Sequence, residues 1–322
     1  MKQAAARQCN HKIGPALESA AGTEYIPDIL HTGAQREMTS GIKHAIPLLL
    51  AGVLCLEAGG AREPRDPCGS REAYDGAYLQ PAQFGGGRTV PAEAKPGMKS
   101  AAVLCYHSFL GTHRYPTDFS IADIEAQLGF LESNGFRFVT FDDIIAGSVT
   151  GRRNILITID DGNVSAVIAY RAVFRKHGIK PLFAIYPSAI GMRSYAMTWK
   201  QVRALSDDGC VIASHGYSHQ RMSDEAETAN PAMIEREISV SKKILEERTE
   251  RPIRVFVYPY GIFGKNIPPR LSAAGYRYAF TIRHGIIAVP VSPGSELFLP
   301  RFMLTVTNAH SLLSPLASTA SK

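Results

Sequence analysis

Between residues 100 and 281 short apolar runs alternate with amphipathic segments, and few folds accept that order. Residues 101–106, 136–140, 154–159, 181–186, 211–214, 253–258 and 278–281 are apolar runs of strand length. Between them, 121–134 carries Ile121, Ile124, Leu128 and Leu131 at helical spacing and stops at Gly135. Segments 164–177, 198–208 and 268–274 are helical and are followed by Gly178, Gly209 and Gly275. A longer helix, 231–247, opens with Asn230 as N-cap and Pro231 in the first helical position. Strands alternating with helices of this size imply βαβ units and a parallel sheet, either a barrel or a doubly wound layer. No Gly-x-Gly-x-x-Gly follows the first strand, so nothing supports a dinucleotide site.

The flanking sequence is of another kind. Residues 45–56 form a twelve-residue apolar run after Lys43 and His44, and Ala58-Gly59-Gly60-Ala61 follow it. That is the order of a secretory signal, and it is too short to span a bilayer comfortably. Met38 lies just upstream as an alternative start, and bulky Leu54 makes Cys55 a poor lipoprotein cysteine. The expected organisation is an N-terminal extension with signal segment over 1–61 and a Gly/Pro-rich linker over 62–99. A catalytic domain over 100–305 and a tail over 306–322 complete it. The expected location is exported: periplasm, cell envelope or outside the cell, with membrane contact only through an uncleaved signal segment. A net charge of +6 raises the question of a polyanionic partner, but the basic residues are scattered, so no nucleic-acid partner is expected. Cys9, Cys55, Cys68, Cys105 and Cys210 show no Cys-x-x-Cys spacing, which leaves a cysteine zinc site and a disulfide framework unsupported.

Chemistry enters where the apolar runs end, the side on which open and closed parallel sheets collect functional residues. Thr-Ile-Asp-Asp-Gly at 158–162 puts two carboxylates after a buried run. A charge of that kind does not stay buried without a cation nearby. Ser-His-Gly-Tyr-Ser-His at 214–219 supplies two imidazoles in a turn after another run, and His107 and Tyr258-Pro259-Tyr260-Gly261 follow two more. One carboxylate with two imidazoles is a donor set for a divalent first-row metal, zinc above all, with cobalt or nickel as alternatives. The second carboxylate is then left to act as a base. Such a set performs metal-assisted hydrolysis of an amide or ester. Asp142-Asp143 and Asp207-Asp208-Gly209 lack this setting and read as turns.

Three ordered segments, 158–162, 214–219 and 258–261, resemble the polysaccharide deacetylase family, carbohydrate esterase family 4, over roughly 101–301. The resemblance implies a distorted (β/α) barrel with fewer than eight repeats. It implies Asp160 as general base, Asp161, His215 and His219 as metal ligands, and an N-acetylated polysaccharide as partner and substrate. Tyr258, Pro259, Tyr260 and Arg301 are the expected substrate-binding residues. Tyr106-His107 and Leu-Pro-Arg at 299–301 are most similar to the branch acting on poly-β-1,6-N-acetylglucosamine. In two places the chain departs from the family pattern. Val257 stands where many members carry the arginine that orients the base, leaving Arg301 or Arg254 to replace it. No late Leu-x-His supplies a general acid, so His107 is the preferred candidate, ahead of His284. The competing expectations are a small-substrate amidase or deformylase on the same scaffold, and a carbohydrate-binding protein that has lost turnover.

Overall fold

The computed structural model describes residues 98–319. The segment 45–56, Met38, Cys9, Cys55, Cys68 and nearly all of the linker expected at 62–99 lie outside the described residues. The chain opens with β1 (Lys99–Tyr106), α1 (Ile121–Ser133), β2 (Arg137–Phe138), α2 (Phe141–Ile145) and β3 (Asn154–Ile159). Next come α3 (Val164–Ala169), which runs into a π-helical turn at Tyr170–Phe174, then β4 (Leu182–Ile185), α4 (Trp199–Asp207) and β5 (Val211–Ser214). After α5 (Asp224–Ala229), the long helix expected from Pro231 is α6 (Pro231–Glu235), a π-helical turn (Arg236–Val240) and α7 (Ser241–Thr249). β6 (Val255–Val257), α8 (Ile267–Ala273), β7 (Tyr278–Phe280), β8 (Ile286–Val289), β9 (Phe302–Met303) and α9 (Ala309–Thr319) complete the order.

Local sequence explains the helix starts. Ser120 with Asp123, Thr140 with Asp143 and Thr198 with Gln201 each form a reciprocal capping box. Asp142-Asp143 therefore lies in the first turn of a short helix, where a turn was expected. The reading of 306–322 as a tail also changes, because Ala309, Leu313 and Leu316 of α9 are buried in the main core.

The sheet runs β7-β6-β5-β4-β3-β1, with every neighbouring pair parallel. The free edge of β1 is shared: β8 pairs antiparallel with Lys99–Ala102, and β9 pairs parallel further on, Leu104 opposite Phe302. Because Leu299 also bridges Phe280 of β7, the stretch 299–304 ties the two edges of the sheet together. The result is the expected distorted (β/α) barrel with fewer than eight repeats, forming one catalytic domain.

Strand parity divides the core in two. Ala102, Leu104 and Tyr106, with Ile155, Ile157 and Ile159, face the surrounding helices. Ala101, Val103, Leu156, Leu182, Ala184, Ala213, Val255 and Val257 form a second group, mostly small or β-branched as a narrow barrel interior requires. Phe141 and Ile144 of α2 join this inner group, Phe141 meeting Tyr278 and Phe280 edge to face. Continuing the same parity upward, Cys105, Thr158, Asp160 and His215 are the next inward positions. There the interior turns from hydrocarbon to polar.

Candidate active site

Asp160 is 2% exposed, and Arg301 answers its charge. The Arg301 guanidinium donates from both terminal nitrogens, at 2.8 Å to Oδ1 and 2.9 Å to Oδ2. Its Nε donates to Thr281 O, and Nη1 also donates to Thr158 Oγ1. The Cys105 thiol donates to Oδ2 at 3.5 Å. Burial works to raise the pKa of Asp160, but the charge and paired hydrogen bonds of Arg301 prevail and hold it well below the usual carboxylate range. Asp160 is thus a permanently ionised carboxylate in a dry place. Burial pushes the Cys105 thiol well above its ordinary value, so it stays protonated as a donor.

Asp161 is held differently. Its backbone is left-handed, with φ of 74°, and successive carboxylates thereby reach one centre. Asp161 Oδ1 lies 3.6 Å from His215 Nε2 and 3.4 Å from His219 Nε2, yet it is buried without a hydrogen-bond partner. His215 Nδ1 is 2.8 Å from the carbonyl of Val257. A carbonyl only accepts, so Nδ1 bears the proton and the Nε2 lone pair points inward. His219 Nε2 sits 3.1 Å from that same atom. Burial lowers both imidazoles to about 4, which leaves them neutral at pH 7. One carboxylate oxygen and two neutral ring nitrogens lie within 4.8 Å of one another. This O,N,N set fits a tetrahedral first-row cation with a position left open. Three of the five non-glycine residues with positive φ among the described residues are Asp161, His219 and Tyr260, so backbone strain gathers here.

The segment 258–261 contributes less than expected. Tyr258 is fully buried, stacks on Phe263 at 4.3 Å and donates its hydroxyl to Leu297 O. It is a packing residue and cannot touch a polymer; Pro259 is buried too. Tyr260 is half-exposed, with its ring 4.5 Å from that of His219 and the Arg221 guanidinium 5.1 Å away on the ring. Arg301, expected to bind substrate, does not face a groove either. At 1% exposure its guanidinium is wholly committed to the interior, where it pairs with Asp160. Arg254 is exposed, near the opposite end of β6.

His107, on the loop after β1, is half-buried, and its Nδ1 is buried without a hydrogen-bond partner. His284 is exposed, against the Phe302 ring. Sequence reading passed over Cys105 and Glu237. Parity with Ala101 and Val103 marks the first; a glutamate among Ile234, Ile238, Ser241 and Leu245 on a buried helix face marks the second.

The polysaccharide deacetylase family model matches residues 147–279, which hold both aspartates, both histidines and segment 258–261. The chain carries a polysaccharide deacetylase domain. His107 and Arg301 lie outside the matched stretch. A poly-β-1,6-N-acetyl-D-glucosamine N-deacetylase of Staphylococcus aureus is 20% identical over 242 residues, covering 67% of this chain and 82% of that protein. The solved structure of IcaB from Ammonifex degensii superposes with a TM-score of 0.59 at 26% identity, over 68% of this chain and 97% of that one. BC0361, a polysaccharide deacetylase from Bacillus cereus, shares the fold at 20% identity with a TM-score of 0.57, over 69% of each chain. The domain places the chain among hydrolases of carbon–nitrogen bonds.

Proposed function

We propose that this protein is an exported, metal-dependent deacetylase that removes N-acetyl groups from an N-acetylglucosamine polymer. The observation that carries the metal is Asp161 Oδ1, buried without a hydrogen-bond partner and facing two neutral imidazole nitrogens. Asp161, His215 and His219 would hold the ion, zinc by donor type, with cobalt or nickel as substitutes. A divalent cation there supplies a lowered pKa for water and polarisation of the amide carbonyl.

The chain's own residues do the rest. Asp160, 3.9 Å from His215 Nε2, is kept ionised by Arg301 and takes a proton from the attacking water. His107, whose Nδ1 is unpartnered on the neighbouring strand end, delivers a proton to the departing amine. Tyr260, on the rim beside His219, lines the sugar groove. The N-acetylglucosamine polymer is supported by the Staphylococcus relative, and export by the apolar run at 45–56.

Acetate release from N-acetylglucosamine oligomers tests the proposal. Chelator treatment is expected to abolish release, and Zn²⁺, Co²⁺ or Ni²⁺ to restore it. Release that survives thorough chelation removes the metal from the proposal. Oligomers that bind but are not cleaved with any metal remove the enzyme.

A further inference from the structure

The turn from His215 to His219 is held by one side chain that lies about twenty positions further on. Glu237, fully buried on the π-helical turn, accepts from Tyr217 N at 2.9 Å, Ser218 N at 3.0 Å, Ser218 Oγ at 2.6 Å and Gln220 N at 3.3 Å. Gly216, at φ of 75°, passes so close that a Cβ there would overlap the carboxylate. Among the described residues no lysine, arginine or histidine pairs with Glu237, so a buried carboxylate is balanced by hydrogen-bond donors of the histidine turn alone. Both oxygens are met only by donors, an arrangement that a neutral amide cannot reproduce, since its NH₂ would face N–H groups. A buried carboxylate without a cation is costly, and a π-helical turn is a common mark of function.

We propose that Glu237 is a positioning residue for the metal-ligand turn, fixing His215 and His219 so that their Nε2 atoms converge to 3.1 Å. This rests on the reading of those histidines as ligands. Glu237 touches no reacting atom; it sets how tightly the ion is held and leaves the acid–base steps to other residues.

The test titrates Co²⁺ and Zn²⁺ into the metal-stripped full chain, following Kd through the Co²⁺ absorption bands and, in parallel, turnover against metal concentration. Glu237→Gln is expected to weaken affinity about 10- to 100-fold, as loss of supporting contacts around metal ligands does. Saturating metal should then return turnover to near its starting level. Glu246→Gln removes a carboxylate that accepts from Ile253 N on the same helix; it should lower Tm and leave Kd unchanged. An unaltered Kd in Glu237→Gln, or a loss of turnover that saturating metal does not repair, overturns the proposal. Should Glu237→Gln fail to fold, Ser218→Ala keeps the carboxylate, removes its 2.6 Å donor and should weaken Kd several-fold; no change there overturns it equally. If the unaltered protein binds neither metal, the fault lies with the proposed function itself.

Discussion

Two aspartate pairs follow strands in this chain, and they have opposite fates. At 142–143 the carboxylate of Asp143 accepts from Thr140 N at 2.8 Å and Thr140 Oγ1 at 2.7 Å, and Thr140's hydrogen bonds lower its pKa. Neutral donors suffice because solvent is near. At 160–161 solvent is scarce, and the two carboxylates divide: Asp160 takes a guanidinium, while Asp161 Oδ1 is buried without a hydrogen-bond partner. The dipeptide is the same; what differs is the dielectric around it and therefore the kind of partner it needs.

The sharpest break between the pairs is in turnover. Asp160→Asn should cost about 10²- to 10⁴-fold in acetate release while the protein retains its metal, whereas His215→Ala should lose the metal as well. Metal analysis beside the assay separates them, and equal metal loss in both variants would undo the assignment of base and ligand. Next in size is Arg301→Met, which strands a buried carboxylate and should destabilise the fold by about 3–5 kcal/mol in urea unfolding.

Repeating that measurement at pH 7 and pH 5 sharpens it. In the unaltered protein the pKa of Asp160 is depressed. Its contribution is full above the unfolded value of about 4 and is lost only as pH falls through the folded value. In Arg301→Met burial acts unopposed, the folded pKa rises, and protonation stabilises the variant. The deficit should therefore shrink from pH 7 to pH 5; a constant deficit would mean that Arg301 acts through packing. Smallest is Asp143→Ala, which loses only a helix cap: about 1 kcal/mol, or about 2–4 °C in Tm, with turnover unchanged.

The strand and helix order was legible because apolar periodicity is local. β3 and β5 run where the apolar runs run, and the caps at Ser120, Thr140 and Thr198 can be read in the sequence as Ser/Thr with Asp or Gln three residues on. The convergence of Asp161, His215 and His219 was legible too, because parallel strands bring their ends to one side. What could not be read is what tertiary closure creates. β8 and β9 are short, and their register comes from β1. Whether Arg301 faces a groove or the interior depends on the strand it lies beside. Tyr258 looks identical in a sequence whether it stacks on Phe263 or on a sugar. Glu237 was hidden inside a helix that read as merely amphipathic.

Arg301 lies on the stretch that ties β7 to β1, 141 residues after the aspartate it neutralises. A chain that ended before residue 301 would have β1 to β7 but no Arg301 beside Asp160. Such a chain would lack both the last tie of its barrel and the counter-charge of a buried carboxylate. One seam thus closes the sheet and neutralises the charge at its mouth.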